Sequence, residues 1–199
     1  FHFAKKGDLA KVRPDEMAAQ VVKSLVERTG VNPDDLEDLI LGCAFPEGEQ
    51  GLNMARLVAF LADLPQSIGG VTVNRFCGSS MQSVHQAAGA IQMNAGEAFI
   101  CAGVESMSRV PMMGFNPLPH PGLYKANPAA YIGMGDTAEN VVEKYGITRK
   151  AMEEFAVASH HKAAAAQEAG KLADEIIPIA GVDQDGCIRA DASLEGLAG

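Results

Sequence analysis

Apolar residues recur at a helical interval from Met17 through Val21 to Leu25, behind Pro14, Asp15 and Glu16 and ahead of Gly30. Proline at a first helical position, acidic residues in the first turn and a closing glycine predict a surface helix there. Asn32-Pro33-Asp34-Asp35 predicts a short helical turn, and the unbroken run Leu39-Ile40-Leu41-Gly42-Cys43-Ala44 predicts a buried strand. Met54, Leu57, Val58 and Leu61 predict a helix that stops before Pro65, and Val71 to Val73 a second strand. From Ser79 to about Ala95 small or apolar residues occupy nearly every face (Met81, Val84, Ala87, Ala88, Ala90, Ile91), which predicts a helix buried all round. Ala98 to Val104 reads as a third strand. Alternating strands and helices predict an α/β fold with a mainly parallel sheet covered on both faces.

The pattern changes at Ser108. Five of the ten prolines (Pro111, Pro117, Pro119, Pro121, Pro128) follow it closely, which predicts an irregular excursion. Phe115, Leu118, Leu123, Tyr124 and Tyr131 make that excursion apolar enough to be an ordered covering loop. Asp136 with Glu139 reads as a capping box for a helix ending at Gly146, and Thr148 as the cap of a longer helix reaching Gly170. Ile176 to Ile179 and Cys187-Ile188 flank Asp185-Gly186 as a hairpin would, with Pro178 marking an edge. The tail from Ala192 to Gly199 is small and featureless.

With 199 residues, 47% of them apolar and 21% charged, the chain has an ordinary globular composition and is long enough for one well-packed domain or a domain with an appendage. A net charge of −9 and no Lys/Arg run exclude a phosphate-tracking surface, so nucleic acid is not an expected partner. No apolar run reaches membrane-spanning length, and no membrane partner is expected. Cys43, Cys77, Cys101 and Cys187 lie far apart, without metal or redox spacing, and read as reduced thiols of a cytoplasmic protein. The chain opens Phe1-His2-Phe3, so an organelle-targeting segment ahead of it stays open.

Candidate chemistry concentrates at Val71 to Met81, VTVNRFCGSSM, where an apolar strand runs into a cysteine at the start of a small-residue helix. Unpaired first-turn N–H groups and the positive end of the helix dipole favour a thiolate at Cys77. Gly78, Ser79 and Ser80 would let a substrate carbonyl approach backbone donors. Position alone leaves a nucleophile and a packed core thiol as alternatives.

NRFCGSSMQ (74–82), CAGVESMS (101–108) and GMGDTAENV (133–141), joined by KAAAAQEAG and DEIIPI, together resemble the thiolase family over essentially the whole chain. The resemblance implies a thiolase-like N-terminal domain, layered helices around a mainly parallel sheet, over residues 1–108, and part of an inserted loop domain over 109–199. It further implies an acyltransferase: Cys77 would attack a 3-ketoacyl-CoA, carry the acyl group as a thioester and pass it to a second CoA, its own backbone N–H holding the acyl oxygen. Acyl-CoA and CoA are then the small-molecule partners, no metal or redox cofactor is implied, and a homodimer or tetramer is expected. Where short-chain members read His-Met-Gly, this chain has Gly133-Met134-Gly135, so Gly133 and Met134 are expected to border the acyl region and longer chains to be accepted.

Gly-His-Pro and Cys-Gly-Gly, which supply a base and an acid in the family, do not occur in the chain. The expectation is therefore a fragment that lacks the family's first strand and C-terminal domain and is inactive alone. Two other readings stay open: a non-catalytic acyl-CoA-binding subunit, and a decarboxylating condensing enzyme of the same fold. His85 lies eight residues along the helix from Cys77, about 12 Å away, and reads as packed or interfacial. Adjacent His160 and His161 read as a solvated face, and His2 and His120 as bland loop residues. Cys43 and Cys101 read as inert core thiols, Cys187 as exposed, and Glu105 as a structural hydrogen-bonding residue rather than a base.

Overall fold

The structure, a computed structural model, describes residues 1–198; Gly199, the end of the featureless tail, lies outside the described residues. The chain forms two compact units. One comprises Phe1–Asn116 and Ile177–Gly186, the other Pro117–Ile176 and the residues from Cys187 onward.

In the first unit three strands, β1 (Asp38–Gly42), β2 (Gly69–Val73) and β3 (Phe99–Gly103), form a parallel sheet in the order β2-β1-β3. Leu39 and Leu41 of β1 face α1 (Pro14–Thr29) and α2 (Met54–Leu61), in a core with Ala18, Val22, Met54, Val58, Ile68 and Ile100. Ile40, one residue out of phase, faces the other way with Val73 and Ala87, against α3 (Ser79–Gln92). Side chains alternate along a strand, so a strand buried on both faces reads as an unbroken apolar run. That is why β1 shows no polar phase in the sequence.

α1 begins with Pro14 and ends at Gly30, whose φ of 65° places it in the left-handed region suited to a helix stop. Asn32 accepts the Asp34 N–H at 3.4 Å and starts the predicted turn, a 3₁₀ helix over Pro33–Asp35.

α3 departs from expectation. Only Ser79, Ser83 and Ala87 are buried in it, a single stripe at four-residue spacing, whereas Met81, Val84 and Ile91 are exposed. The sheet occupies one face of this helix and leaves the other open. His85 is exposed on that open face, neither packed nor buried.

The compositional change at Ser108 comes before the end of this stretch of the first unit at Asn116, because residues 109–116 pack within the first unit. Val110 is buried, the Arg109 guanidinium pairs with Glu49, and the Phe115 N–H donates to Glu47 at 2.7 Å. No hairpin forms around Asp185-Gly186. Ile179 and Val182 instead exchange N–H···O bonds of 2.9 Å across Ala180 and Gly181. Both turn residues have positive φ, 52° and 81°, as a two-residue turn between antiparallel residues requires.

In the second unit α4 (Pro121–Ala126), α5 (Met134–Tyr145), α6 (Arg149–Glu168) and α7 (Leu194–Leu197) follow in order. α5 starts two residues before Asp136, with extended Gly133 at its N-cap and no side-chain cap. Asp136 therefore lies within the first turn, where its charge suits the helix dipole, instead of forming the predicted capping box. Thr148 does cap α6, its hydroxyl accepting the Ala151 N–H at 3.2 Å. Within the nominally featureless tail, Ser193 caps α7 by accepting the Gly196 N–H at 3.1 Å.

Candidate active site

Two glycines set where α3 begins. A Cβ on Gly42, at the end of β1, would stand 2.5 Å from the Ser79 and Ser80 backbone, and one on Gly103, at the end of β3, 2.7 Å from the Ser80 Cβ. The start of α3 is thus seated on the carboxyl ends of two strands, where open parallel sheets place ligands. β2 feeds this helix through Asn74, Arg75 and a 3₁₀ turn over Phe76–Gly78. Cys77 is the middle residue of that turn and is exposed.

The turn is held by side chains. Asn74 Oδ1 accepts the Phe76 N–H at 2.9 Å, and Asn74 Nδ2 donates to the Ala44 carbonyl at 2.9 Å. Buried Ser79 accepts the Arg75 N–H at 2.9 Å and donates its hydroxyl proton to the Phe76 carbonyl at 2.5 Å. The Phe76 ring lies 6.0 Å from that of Phe45.

Beside the turn, Glu105 braces the loop that follows β1. Its carboxylate accepts the Ala44 N–H at 2.6 Å, the Phe45 N–H at 3.3 Å and Gln50 Nε2 at 2.7 Å. Fully buried Gln50 also donates to the Phe45 carbonyl at 2.8 Å and accepts the Ser106 N–H at 2.6 Å. Glu105 has the hydrogen-bonding role read from the sequence; Gln50 was not singled out there. Burial and the nearby Glu105 charge push the Cys43 thiol up to about 12, so it stays protonated and inert. Burial also raises the Cys101 thiol, and Cys187 is half-buried rather than exposed.

The histidines have other duties. His120 Nδ1 accepts the Leu123 N–H at 3.1 Å and caps α4, and His2 Nε2 pairs with the Gln184 carbonyl at 2.9 Å. His160 is half-buried and His161 exposed on the face read as solvated, and both also hold backbone. His160 Nδ1 accepts the Arg189 N–H at 3.1 Å, and His161 Nε2 pairs with the Ala192 carbonyl at 2.8 Å. Gly133 and Met134 belong to the second unit, at the start of α5, with the Met134 side chain exposed. Among the described residues no group of three or more His, Cys, Asp or Glu could hold a metal ion. No helix of the described residues is long and apolar enough to cross a membrane.

Together the parallel sheet and the strand-to-helix turn that displays Cys77 define an α/β protein with one exposed thiol beside the carboxyl ends of its strands. A family model described as the thiolase N-terminal domain matches residues 2–199. The chain belongs to the thiolase family. It is 49% identical over 176 residues to a 3-ketoacyl-CoA thiolase of Bacillus subtilis, covering 88% of this chain and 45% of that protein. It is 42% identical over 205 residues to a 3-ketoacyl-CoA thiolase of a Psychrobacter species, covering 98% of this chain and 52% of that protein. A third such relative, from Shewanella loihica, is 43% identical over 208 residues, 98% of this chain and 53% of the relative. The chain spans about half the length of the curated relatives it matches.

Proposed function

We propose that the complete protein is a 3-ketoacyl-CoA thiolase that uses Cys77 as its nucleophile. The reading is carried by the exposure of Cys77 in a turn between a strand end and a helix start, and the names of the relatives support it. The Cys77 thiolate adds to the 3-keto carbonyl, and its backbone N–H donates to the resulting oxyanion. Collapse breaks the bond between C2 and C3, the electron pair leaves as the enolate of acetyl-CoA, and the enolate takes a proton. The acyl group stays on Cys77 as a thioester until the thiol of a second CoA accepts it and releases the shortened acyl-CoA. The reverse sequence is a Claisen condensation.

CoA thioesters are substrates here, and the chemistry calls for no metal or redox cofactor. Four free thiols are consistent with work in the reducing cytoplasm. Assembly as a homodimer or tetramer is part of the same proposal.

We further propose that Gly133 and exposed Met134 border the acyl region and that long chains are accepted. Comparing thiolysis of 3-ketohexadecanoyl-CoA with that of acetoacetyl-CoA by the complete protein tests the specificity. Faster turnover of the longer substrate supports it, and a strict preference for acetoacetyl-CoA removes it. Cys77→Ala tests the function itself and is expected to abolish thiolysis.

A further inference from the structure

Phe76 stands directly before Cys77 with φ at +45°, a left-handed conformation that a side-chain-bearing residue keeps only where its surroundings impose it. Both of its backbone polar groups are engaged. Asn74 Oδ1 accepts its N–H, and its carbonyl accepts both the buried Ser79 hydroxyl and the Ser79 backbone N–H that closes the 3₁₀ turn. The Asn74 amide is itself anchored, through Nδ2, to the Ala44 carbonyl beyond β1. The Phe76 carbonyl and the Cys77 N–H are the two ends of one peptide unit, which is planar and points them in opposite directions. Fixing the carbonyl with Ser79 therefore fixes the direction of the Cys77 N–H.

Resting on the reading of Cys77 as the nucleophile, we propose that Asn74 and Ser79 are positioning residues for acyl transfer. They hold Phe76 left-handed and thereby aim the Cys77 N–H at the acyl oxygen while its thiol faces the acyl carbon. Without them Phe76 relaxes toward the right-handed region and the peptide between residues 76 and 77 rotates. The thiol stays at the surface, but the oxyanion loses its donor.

The test measures transfer of the acetyl group from acetyl-CoA to Cys77 in the complete protein, by acid quench and peptide mass spectrometry across a range of acetyl-CoA concentrations. Asn74→Ala is expected to slow acylation at saturation by about tenfold or more, and Ser79→Ala, which keeps the backbone N–H on the Phe76 carbonyl, by about threefold or more, each with the half-saturating concentration changed less than about threefold. Asn74→Asp keeps an acceptor for the Phe76 N–H but sets a carboxylate oxygen against the Ala44 carbonyl, and is expected to recover only part of the rate. In a Phe76→Gly background Asn74→Ala is expected to cost less than about threefold, because glycine adopts a positive φ without strain. Alkylation of buried Cys43 by iodoacetamide gauges unfolding in every variant.

Wild-type rates in both alanine variants would overturn the proposal. So would a loss that tracks Cys43 exposure and is not relieved by Phe76→Gly. Absence of any acyl group on Cys77 in the unsubstituted protein would instead overturn the nucleophile reading, and the proposal with it.

Discussion

Gln50 and Glu105, 55 positions apart in the chain, meet in a 2.7 Å hydrogen bond that ties the loop after β1 to the segment after β3. Gln50 is fully buried and uses both ends of its amide, so its removal strands the Ser106 N–H, whereas the Phe45 carbonyl keeps the Glu47 N–H at 2.8 Å. Gln50→Ala is expected to lower stability by about 1–3 kcal/mol, the cost of leaving a buried N–H unpaired. Urea unfolding checks this; a change below about 0.5 kcal/mol would show that the brace contributes little.

Glu49 gives the fold an acid-sensitive tie. The Arg109 guanidinium, helped by Arg13, holds its carboxyl below the usual carboxylate range. A carboxyl whose folded pKa is depressed contributes its stability above its unfolded pKa, about 4.3 for Glu, and loses it as pH falls through the folded value. The urea midpoint is therefore expected to fall on acidification below about pH 4.3, and to fall less steeply in Arg109→Gln. Equal acid slopes for the two proteins would contradict this account of the pair.

Close approach at Gly42 links stability to chemistry. A Cβ there would sit 2.5 Å from the backbone at the start of α3, so Gly42→Ala must displace that helix start. The expected cost is about 1–3 kcal/mol together with slower acyl transfer at Cys77. Gly30→Ala is a control with open space around its Cβ, its strain arising only from a φ of +65°. It is expected to destabilise through strain while leaving acyl transfer unchanged. Chemical denaturation and acylation rates measured on the same preparations separate the two effects.

Cys43 and Cys77 should differ sharply toward iodoacetamide. Cys77 is exposed, whereas Cys43 is buried with its thiol pushed up to about 12. At pH 8 the native protein is expected to be labelled at Cys77 and spared at Cys43, with both labelled in denaturant. Peptide mass spectrometry distinguishes them, and prompt native labelling of Cys43 would show that the brace around it opens readily.

The sheet and the helices facing it were legible because burial writes itself into period. β1 reads as a continuous apolar run since Leu39 and Ile40 enter opposite cores, and α1 carries its own proline start and glycine stop. Cys77 was legible through position, at the junction of a strand and a small-residue helix. Composition cannot say which faces find a neighbour, so the apolar α3 was expected to be buried all round although the sheet covers one side only.

Local turn chemistry misled twice. Asp136 and Glu139 satisfy the capping-box pattern, but the helix starts earlier, at Met134, and Asp185-Gly186 yields to Ala180-Gly181 as the tight turn. Ser79 was read only as a small residue, and neither Asn74 nor Gln50 was given a role. Their hydrogen bonds join segments distant in the chain or depend on the left-handed Phe76, and neither leaves a periodic trace.

The most direct measurement is to mix the complete protein with a 3-ketoacyl-CoA, quench in acid, and locate the acyl group by peptide mass spectrometry in the native sequence and in Cys77→Ala. The account predicts a thioester on the peptide bearing Cys77 and none anywhere in Cys77→Ala. An acyl-enzyme that persists in that variant, or one carried by another residue, would contradict it.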